Sequence, residues 1–188
     1  MDSRSHIILV GGSSHTGKTL MAQKLLKKYG YPYLSIDHLK MGLYRADIGC
    51  GFTPLDDAEH VSEKLWPILK GIIMTAIENS QNLIIEGVYL LPQRVKELGY
   101  EYLRNVTLLY LGFSQSYIEM YFESGIIGNR CAIEDRKYEN TCTSQDFILA
   151  NMRQKEVCAE HGAKYFEINE DYLREIEDAY LWIDAQMA

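Results

Sequence analysis

The sequence has few of the features that mark membrane, extracellular or polyanion-binding proteins. Its apolar stretches fall well short of the ~20 residues that a membrane-spanning helix needs. The four cysteines form no CxxC pair and no zinc-finger spacing, and no signal peptide is recognised at the first residues. These absences favour reduced thiols and a cytoplasmic protein that does not bind a membrane.

Positive charge is also in short supply, with 19 Lys and Arg against 26 Asp and Glu and a formal net charge of −7. Nucleic acids and anionic membranes are recognised by basic surfaces, so the excess of acid argues against either as the main partner. A small anionic ligand held by a few well-placed cations remains compatible with this charge. Oligomeric state cannot be read from the composition.

What the sequence does contain is an ordinary globular composition, 47% hydrophobic and 24% charged. No internal repeat or low-complexity tract interrupts the 188 residues, and no linker divides them. We therefore expect a single domain over residues 1–188, long enough to bury its own core.

Short apolar segments alternate with amphipathic helical patterns along the whole chain. This alternation predicts βαβ units and a parallel sheet, and the segments lack polar alternation, as expected of strands covered by helices on both faces. The sequence thus predicts a three-layer α/β domain with five strands, at residues 6–10, 31–36, 83–86, 106–111 and 164–168.

A phosphate-binding motif follows the first predicted strand and opens the first predicted helix. It reads Gly12-Ser-Ser-His-Thr-Gly-Lys-Thr19 and matches G-x-x-x-x-G-K-[ST] at every fixed position, which chance would produce in less than about 1% of such chains. Such a loop turns its N–H groups toward phosphates, while its Lys reaches the β- and γ-phosphates and its Thr binds Mg²⁺. The predicted nucleotide-binding residues are Gly12, Ser13, Ser14, His15, Thr16, Gly17, Lys18 and Thr19.

Motifs of other nucleotide-hydrolysing classes are missing from the sequence. The GTPase motifs D-x-x-G and N-K-x-D do not occur, nor does the L-S-G-G signature of ABC-type ATPases. A motor or AAA-type machine would usually need an additional helical domain, for which the chain has little room. Small phosphotransferases are the class that this length accommodates.

With the P-loop, a second strand leading to Asp37 and a third strand ending in Glu86, the chain resembles the adenylate-kinase-like P-loop kinases. That family includes nucleotide kinases, shikimate kinase, chloramphenicol phosphotransferase, zeta-toxin kinases and 2-phosphoglycerate kinase-like proteins. The resemblance implies the strand order 2-3-1-4-5, a mobile lid, and the use of ATP and Mg²⁺ on a small-molecule acceptor.

Two carboxylates are candidates for the acceptor side of the site. Asp37 follows the second strand, at the sheet edge that should also carry the P-loop. An acid there resembles the catalytic base or a Mg²⁺-water ligand of hydroxyl kinases, while the alternative is an N-cap for a helix over residues 38–44. Glu86 resembles an acid that binds Mg²⁺ or contacts the acceptor; the alternative is a buried structural carboxylate.

Four arginines complete the predicted site. Arg45 and Arg94 are candidates for holding the acceptor, in or near an acceptor-binding region at about residues 38–60, although either could be a solvated surface cation. Arg130 and Arg136 lie in residues 125–140, where the family carries its lid. They resemble arginines that stabilise the transferring phosphoryl group, with local surface ion pairs as the alternative.

These residues together predict an ATP- and Mg²⁺-dependent phosphotransferase that acts on a small-molecule hydroxyl or phosphate. Lys18, Asp37, Arg130 and Arg136 are its expected catalytic residues, with Thr19 and Glu86 toward the metal. The alternatives are a non-catalytic ATP-binding sensor or switch, and a toxin-type kinase. The identity of the acceptor is not encoded in any recognisable motif.

Overall fold

The computed structural model describes residues 5–130 and 142–187. In them, five parallel strands form one sheet in the order β2-β3-β1-β4-β5, which confirms both the predicted class and the strand order implied by the resemblance. The strands are β1 (Ile7–Gly12), β2 (Tyr33–Ser35), β3 (Leu83–Glu86), β4 (Val106–Phe113) and β5 (Lys164–Ile168).

Helices connect the strands as crossovers. Eight α-helices lie in the described residues: α1 (Lys18–Tyr29), α2 (Ile36–Ala46), α3 (Ala58–Glu78), α4 (Pro92–Val95), α5 (Tyr100–Leu103), α6 (Gln115–Tyr121), α7 (Ser144–Glu160) and α8 (Tyr172–Met187). A 3₁₀ turn (Lys96–Leu98) separates α4 from α5, and a π-helix (Phe122–Ile127) continues α6.

The core consists of two apolar layers, one on each face of the sheet. Successive residues of β1 point to opposite faces, so Ile8 and Val10 pack in the layer of α1, α6, α7 and α8, whereas Ile7 and Leu9 pack against α3. All four side chains are fully buried. This two-sided burial is why the central strands read as continuous apolar segments in the sequence.

The register of the three neighbouring strands brings the predicted functional segments to one edge. Glu86, the last residue of β3, pairs with Val10 of β1 on one side and with Ser35 of β2 on the other. The P-loop, Glu86 and the residues after Ser35 therefore leave the sheet side by side. In an open α/β sheet this carboxyl-end crevice is where ligands bind.

Asp37 lies differently from its predicted position at the end of a strand. β2 stops at Ser35, and α2 begins at Ile36 with Ser35 at its N-cap position, so Asp37 lies in the first helical turn. The N-cap alternative for Asp37 is therefore wrong. A carboxylate in the first turn is favoured by the positive end of the helix dipole.

Candidate active site

A cavity of ≈ 740 Å³ opens at the carboxyl edge of the sheet, between the P-loop, α2 and the start of α8. Its wall includes Lys18, Thr19, Asp37, Glu86 and Arg130, which are five of the residues predicted for nucleotide, metal or acceptor. Residues more than 100 positions apart in the sequence thus meet in one concave site, as expected of a small-molecule site. A second depression of ≈ 530 Å³ beside α6, α7 and β5 contains none of the predicted residues.

The P-loop has the backbone shape of a phosphate cradle. His15 and Gly17 have positive φ angles of 64° and 85°, and α1 begins directly afterwards at Lys18. Alternation of this kind turns successive N–H groups to one side of the loop, and the positive end of α1 adds to the field there. His15, a non-glycine residue, holds this conformation, which is typical of functional loops.

Hydrogen bonds from two side chains to one backbone carbonyl stabilise the loop. The Ser13 carbonyl accepts hydrogen bonds from the Thr16 hydroxyl at 2.8 Å and from the Lys18 ammonium at 2.6 Å. Ser13, Thr16 and Lys18 are all buried, and Lys18 lines the cavity together with Ser14, His15 and Gly17. The lysine that would reach the phosphates is therefore held at the loop itself.

Residue 17 must be glycine for two reasons: its φ angle is positive, and a tyrosine side chain packs closely against it. The phenol of Tyr172, at the start of α8, lies against the Gly17 α-carbon and donates to the Thr16 carbonyl at 3.4 Å, so a Cβ at residue 17 would collide with the phenol oxygen. Burial raises the pKa of Tyr172 to about 12, with a further contribution from Tyr117. The phenol is therefore neutral beside the phosphate cradle.

Asp37 projects into the cavity from α2 together with a lysine that the sequence analysis did not single out. The Lys40 ammonium lies 2.9 Å from the Asp37 carboxylate and donates a hydrogen bond of 2.7 Å to the Tyr89 hydroxyl. Burial lowers the pKa of Lys40, but its hydrogen bonds to Tyr89 and Asp37 outweigh that effect, and the pKa lies above its usual value. All three side chains line the cavity.

Thr19 and Glu86 fit the part of the cavity where a metal would bind. Both line it next to Lys18, and Glu86 is buried, with 2% of its surface exposed. The described residues contain no group of three or more His, Cys, Asp or Glu able to hold a metal ion unaided. A Mg²⁺ here would share its coordination with the oxygens of a bound triphosphate, as P-loop enzymes do.

Arg130 reaches the cavity from the segment after the π-helix. Gly125 and Asn129 line the same side, and the Asn129 amide donates to the Gly125 carbonyl at 2.8 Å. π-helical turns occur mostly at functional sites. Arg136 lies outside the described residues, as does the rest of the predicted lid (125–140) after Arg130.

Arg45 and Arg94 are not brought to the cavity. Arg45 lies exposed in the last turn of α2, at the far end of the helix from Asp37. Arg94 pairs with Glu97 at 3.1 Å, and the same Glu97 accepts a hydrogen bond from the Trp66 indole at 3.0 Å. The structure therefore separates these two arginines from the residues that share the site.

An aromatic wall is the second feature that sequence reasoning missed. Phe113 and Tyr117 stack with ring centroids 4.9 Å apart, Tyr172 lies beside them, and all three line the cavity. No spacing signals this wall, since it is assembled from β4, α6 and α8.

A family comparison fits this site. A model of the Zeta toxin family matches residues 1–107, more than half of the chain, including the P-loop, Asp37 and Glu86. The chain belongs to the Zeta toxin family. The matched segment ends before Arg130, so the place of Arg130 in the site is supported by the structure and not by the family match. No curated protein matches the chain.

Solved structures share the fold at low sequence identity. A sugar kinase from Janibacter sp. HTCC2649 is 18% identical, with a TM-score of 0.55, 96% of this chain and 95% of that chain being covered. Shikimate kinase from Bacteroides thetaiotaomicron is 16% identical, with a TM-score of 0.57 and coverage of 95% and 98%. The fold of this Zeta toxin family member is thus that of P-loop small-molecule kinases. Within the described residues, no helix is both long and apolar enough to span a membrane.

Proposed function

We propose that this protein is a cytoplasmic phosphotransferase that moves the γ-phosphoryl group of a Mg²⁺-bound nucleoside triphosphate, expected to be ATP, to a hydroxyl of a small molecule. The observation that carries the proposal is the meeting of Lys18 and Asp37 in one cavity. Lys18 and the loop amides supply charge and donors for the triphosphate. Asp37 supplies a carboxylate that can accept the proton of an attacking hydroxyl.

The acceptor side favours a hydroxyl over a phosphate. Among the described residues, the acceptor side presents the Asp37 carboxylate, with 47% of the side chain accessible, and the neighbouring Lys40 is already paired with it. A phosphate acceptor carries negative charge of its own and would be repelled by this carboxylate. A neutral hydroxyl instead gains a hydrogen-bond acceptor at the position where its proton must leave.

We assign the remaining roles from the chemistry of each side chain, and the cavity position of Thr19, Glu86 and Arg130 supports them. Thr19 and Glu86 would hold Mg²⁺, which supplies positive charge to the phosphates when bound. Arg130 would neutralise the transferring group, with Arg136 as a second candidate in a lid at residues 125–140. The cavity supports no acceptor role for Arg45 or Arg94.

Nucleotide titration followed by an acceptor screen tests the proposal. Calorimetry with Mg·ATP and Mg·ADP should give binding that Lys18→Ala weakens severely, and incubation with pooled sugars, polyols and hydroxy acids should yield one product heavier by a phosphoryl group. Tight ATP binding without ADP formation for any acceptor would instead support a non-catalytic sensor.

Membership of the Zeta toxin family favours one narrower version, a toxin-type kinase whose product harms the cell that makes it. Inducible expression of the wild type and of Asp37→Asn in a bacterial host distinguishes the versions. Growth arrest by the wild type alone supports the toxin-type kinase. Equal growth of both strains, with transfer detected in vitro, supports a metabolic kinase.

A further inference from the structure

Lys40 and Tyr89 form a buried support beneath the Asp37 carboxylate, and neither has a role in the reaction proposed above. Lys40 and Asp37 are three residues apart on α2, a spacing that puts two side chains on the same helix face. Their exposure is unequal: 10% of the Lys40 side chain is accessible, against 47% for Asp37. The cation is thus the buried member of the pair, and the carboxylate is the member accessible at the cavity.

Burial of a lysine is unfavourable unless the ammonium is well partnered. Tyr89 is such a partner, because its hydroxyl accepts a hydrogen bond from the ammonium at 2.7 Å. Tyr89 therefore fixes where the ammonium lies.

Tyr89 is itself anchored to the scaffold. Its carbonyl accepts a hydrogen bond of 2.8 Å from the Ser62 hydroxyl of α3, and both residues are buried. Its segment follows β3 directly after Glu86, so the anchor also lies next to the candidate metal ligand. The chain of contacts runs from α3 through Tyr89 and Lys40 to Asp37.

We propose that Lys40, held by Tyr89, is a positioning residue that fixes the Asp37 carboxylate toward the acceptor hydroxyl. A half-exposed aspartate in a first helical turn would otherwise sample several rotamers. The ammonium restricts it to the orientation in which one carboxylate oxygen is engaged and the other is available to the acceptor. This inference rests on the proposed function for the role of Asp37, although the restraint itself does not depend on catalysis.

The first test measures the restraint and needs no substrate. Three-bond NMR couplings of Asp37 should report one χ1 rotamer in the wild type, averaged rotamers in Lys40→Met and intermediate values in Tyr89→Phe. The control is Lys70→Met, which removes a lysine of α3 whose ammonium binds the Glu97 carbonyl away from the cavity. A single Asp37 rotamer in Lys40→Met, or averaged rotamers in the wild type, would overturn the proposal.

The second test measures turnover with water as the acceptor, using release of labelled phosphate from Mg·[γ-³²P]ATP. Lys40→Met should lower kcat about 10- to 100-fold, the size of effect that misplaced catalytic groups produce, and leave the KM for ATP within about threefold. Lys40→Arg should recover part of the loss, and Lys70→Met should behave as wild type. Circular dichroism verifies that each variant folds.

The two tests separate this inference from the proposed function. Suppose that Asp37 rotamers are averaged in Lys40→Met, but the wild type transfers phosphate neither to water nor to any screened hydroxyl. The restraint of Asp37 by Lys40 would then be confirmed, and the proposed kinase activity would be rejected. Full turnover in Lys40→Met, with a large loss in Asp37→Asn, would reject the positioning role alone.

Discussion

At the scale of single residues, Gly17 is the position where the nucleotide loop, α1 and α8 meet. Its φ of 85° and the Tyr172 phenol against its α-carbon both exclude a side chain. Gly30, at the other end of α1, has a similar φ of 71° but open space around it. Substitutions at these two glycines therefore distinguish the effect of backbone strain from that of a steric collision.

We expect Gly30→Ala to lower the free energy of unfolding by about 1–2 kcal/mol, the cost of the left-handed conformation for a residue with a Cβ. Gly17→Ala should cost more and should also abolish ATP binding, because the loop must move away from Tyr172. Adding Tyr172→Phe should recover part of the stability lost in Gly17→Ala. Urea unfolding measures the free energy of unfolding of each variant. Equal decreases for Gly17→Ala and Gly30→Ala would contradict a collision at residue 17.

Several residues of the site follow from sequence alone, and others cannot. Lys18 and Asp37 could be assigned because a motif and a strand end each predict a location at the same sheet edge. Lys40 carries the weak signal of lying three residues after Asp37, but its burial depends on Tyr89, which arrives from another crossover. Partner choice of this kind is decided by tertiary packing, whereas Arg94 pairs locally with Glu97, three residues further along the chain.

At the scale of elements, the segment between β5 and α8 holds the aromatic wall against the P-loop. The Glu175 carboxylate accepts hydrogen bonds from the backbone N–H groups of Asn169, Glu170 and Asp171, at 2.7 to 2.9 Å. One side chain thus organises the turn that leads into Tyr172. Burial would raise the pKa of Glu175, but these N–H groups outweigh it and hold the pKa below its usual 4.5.

Replacing Glu175 by Gln should destabilise the fold in a pH-dependent way. A carboxylate whose pKa is lowered on folding contributes stability above its unfolded pKa, and that contribution is lost as pH falls through the folded pKa. We expect Glu175→Gln to lower the free energy of unfolding by about 1 kcal/mol at neutral pH, comparable to loss of a helix cap. The difference in unfolding free energy between the variant and the wild type should become smaller at pH values below 4.5. The exposed Glu177→Gln is the control, and a gap that stays constant with pH would contradict this account.

The lid arginines belong to the same scale. Arg130 lies at the cavity after the π-helix, whereas Arg136 falls outside the described residues. Because Arg130 already lines the cavity, we assign it the larger share in stabilising the transferring group. We expect Arg130→Ala to lower the transfer rate by about 10³-fold or more with little effect on ATP binding, and Arg136→Ala to have the smaller effect. A larger loss in Arg136→Ala would reverse this assignment.

The elements themselves were largely predictable. β3 and β5 have the predicted bounds: β3 is a short apolar segment that ends in Glu86, and β5, at the edge of the sheet, is short and rich in aromatic residues. The start of α2 was not predictable, since Ser35-Ile-Asp is compatible with either a strand or a helical turn. The packing of Ile36 into the layer beneath α3 decides in favour of the helix.

At the scale of the whole molecule, an acidic protein of net charge −7 concentrates cations at one cavity. Lys18 and Arg130 line it, Lys40 is paired there with Asp37, and the sheet edge adds the amides of the P-loop. The surface as a whole repels polyanions, whereas the cavity attracts one of limited size. Acidity and triphosphate binding are therefore compatible because they concern different parts of the molecule.

Ligand binding should be visible in global stability. Mg·ATP at about 100 times its Kd stabilises a protein by ~2.7 kcal/mol, which for this size corresponds to a rise in Tm of roughly 5–10 °C. We expect EDTA to remove most of that rise in the wild type. We expect Lys18→Ala to show almost none of it. An equal rise in Lys18→Ala would place the nucleotide elsewhere.

The most direct test of the account measures nucleotide affinity and phosphoryl transfer side by side in the wild type and in Asp37→Asn. The amide keeps the shape of the side chain and removes its basicity, so the rate of transfer to the acceptor found by the screen should fall about 10²- to 10⁴-fold. The Kd for Mg·ATP should stay within about threefold, because Lys18 and the P-loop are untouched. Transfer at the wild-type rate in Asp37→Asn would contradict the account.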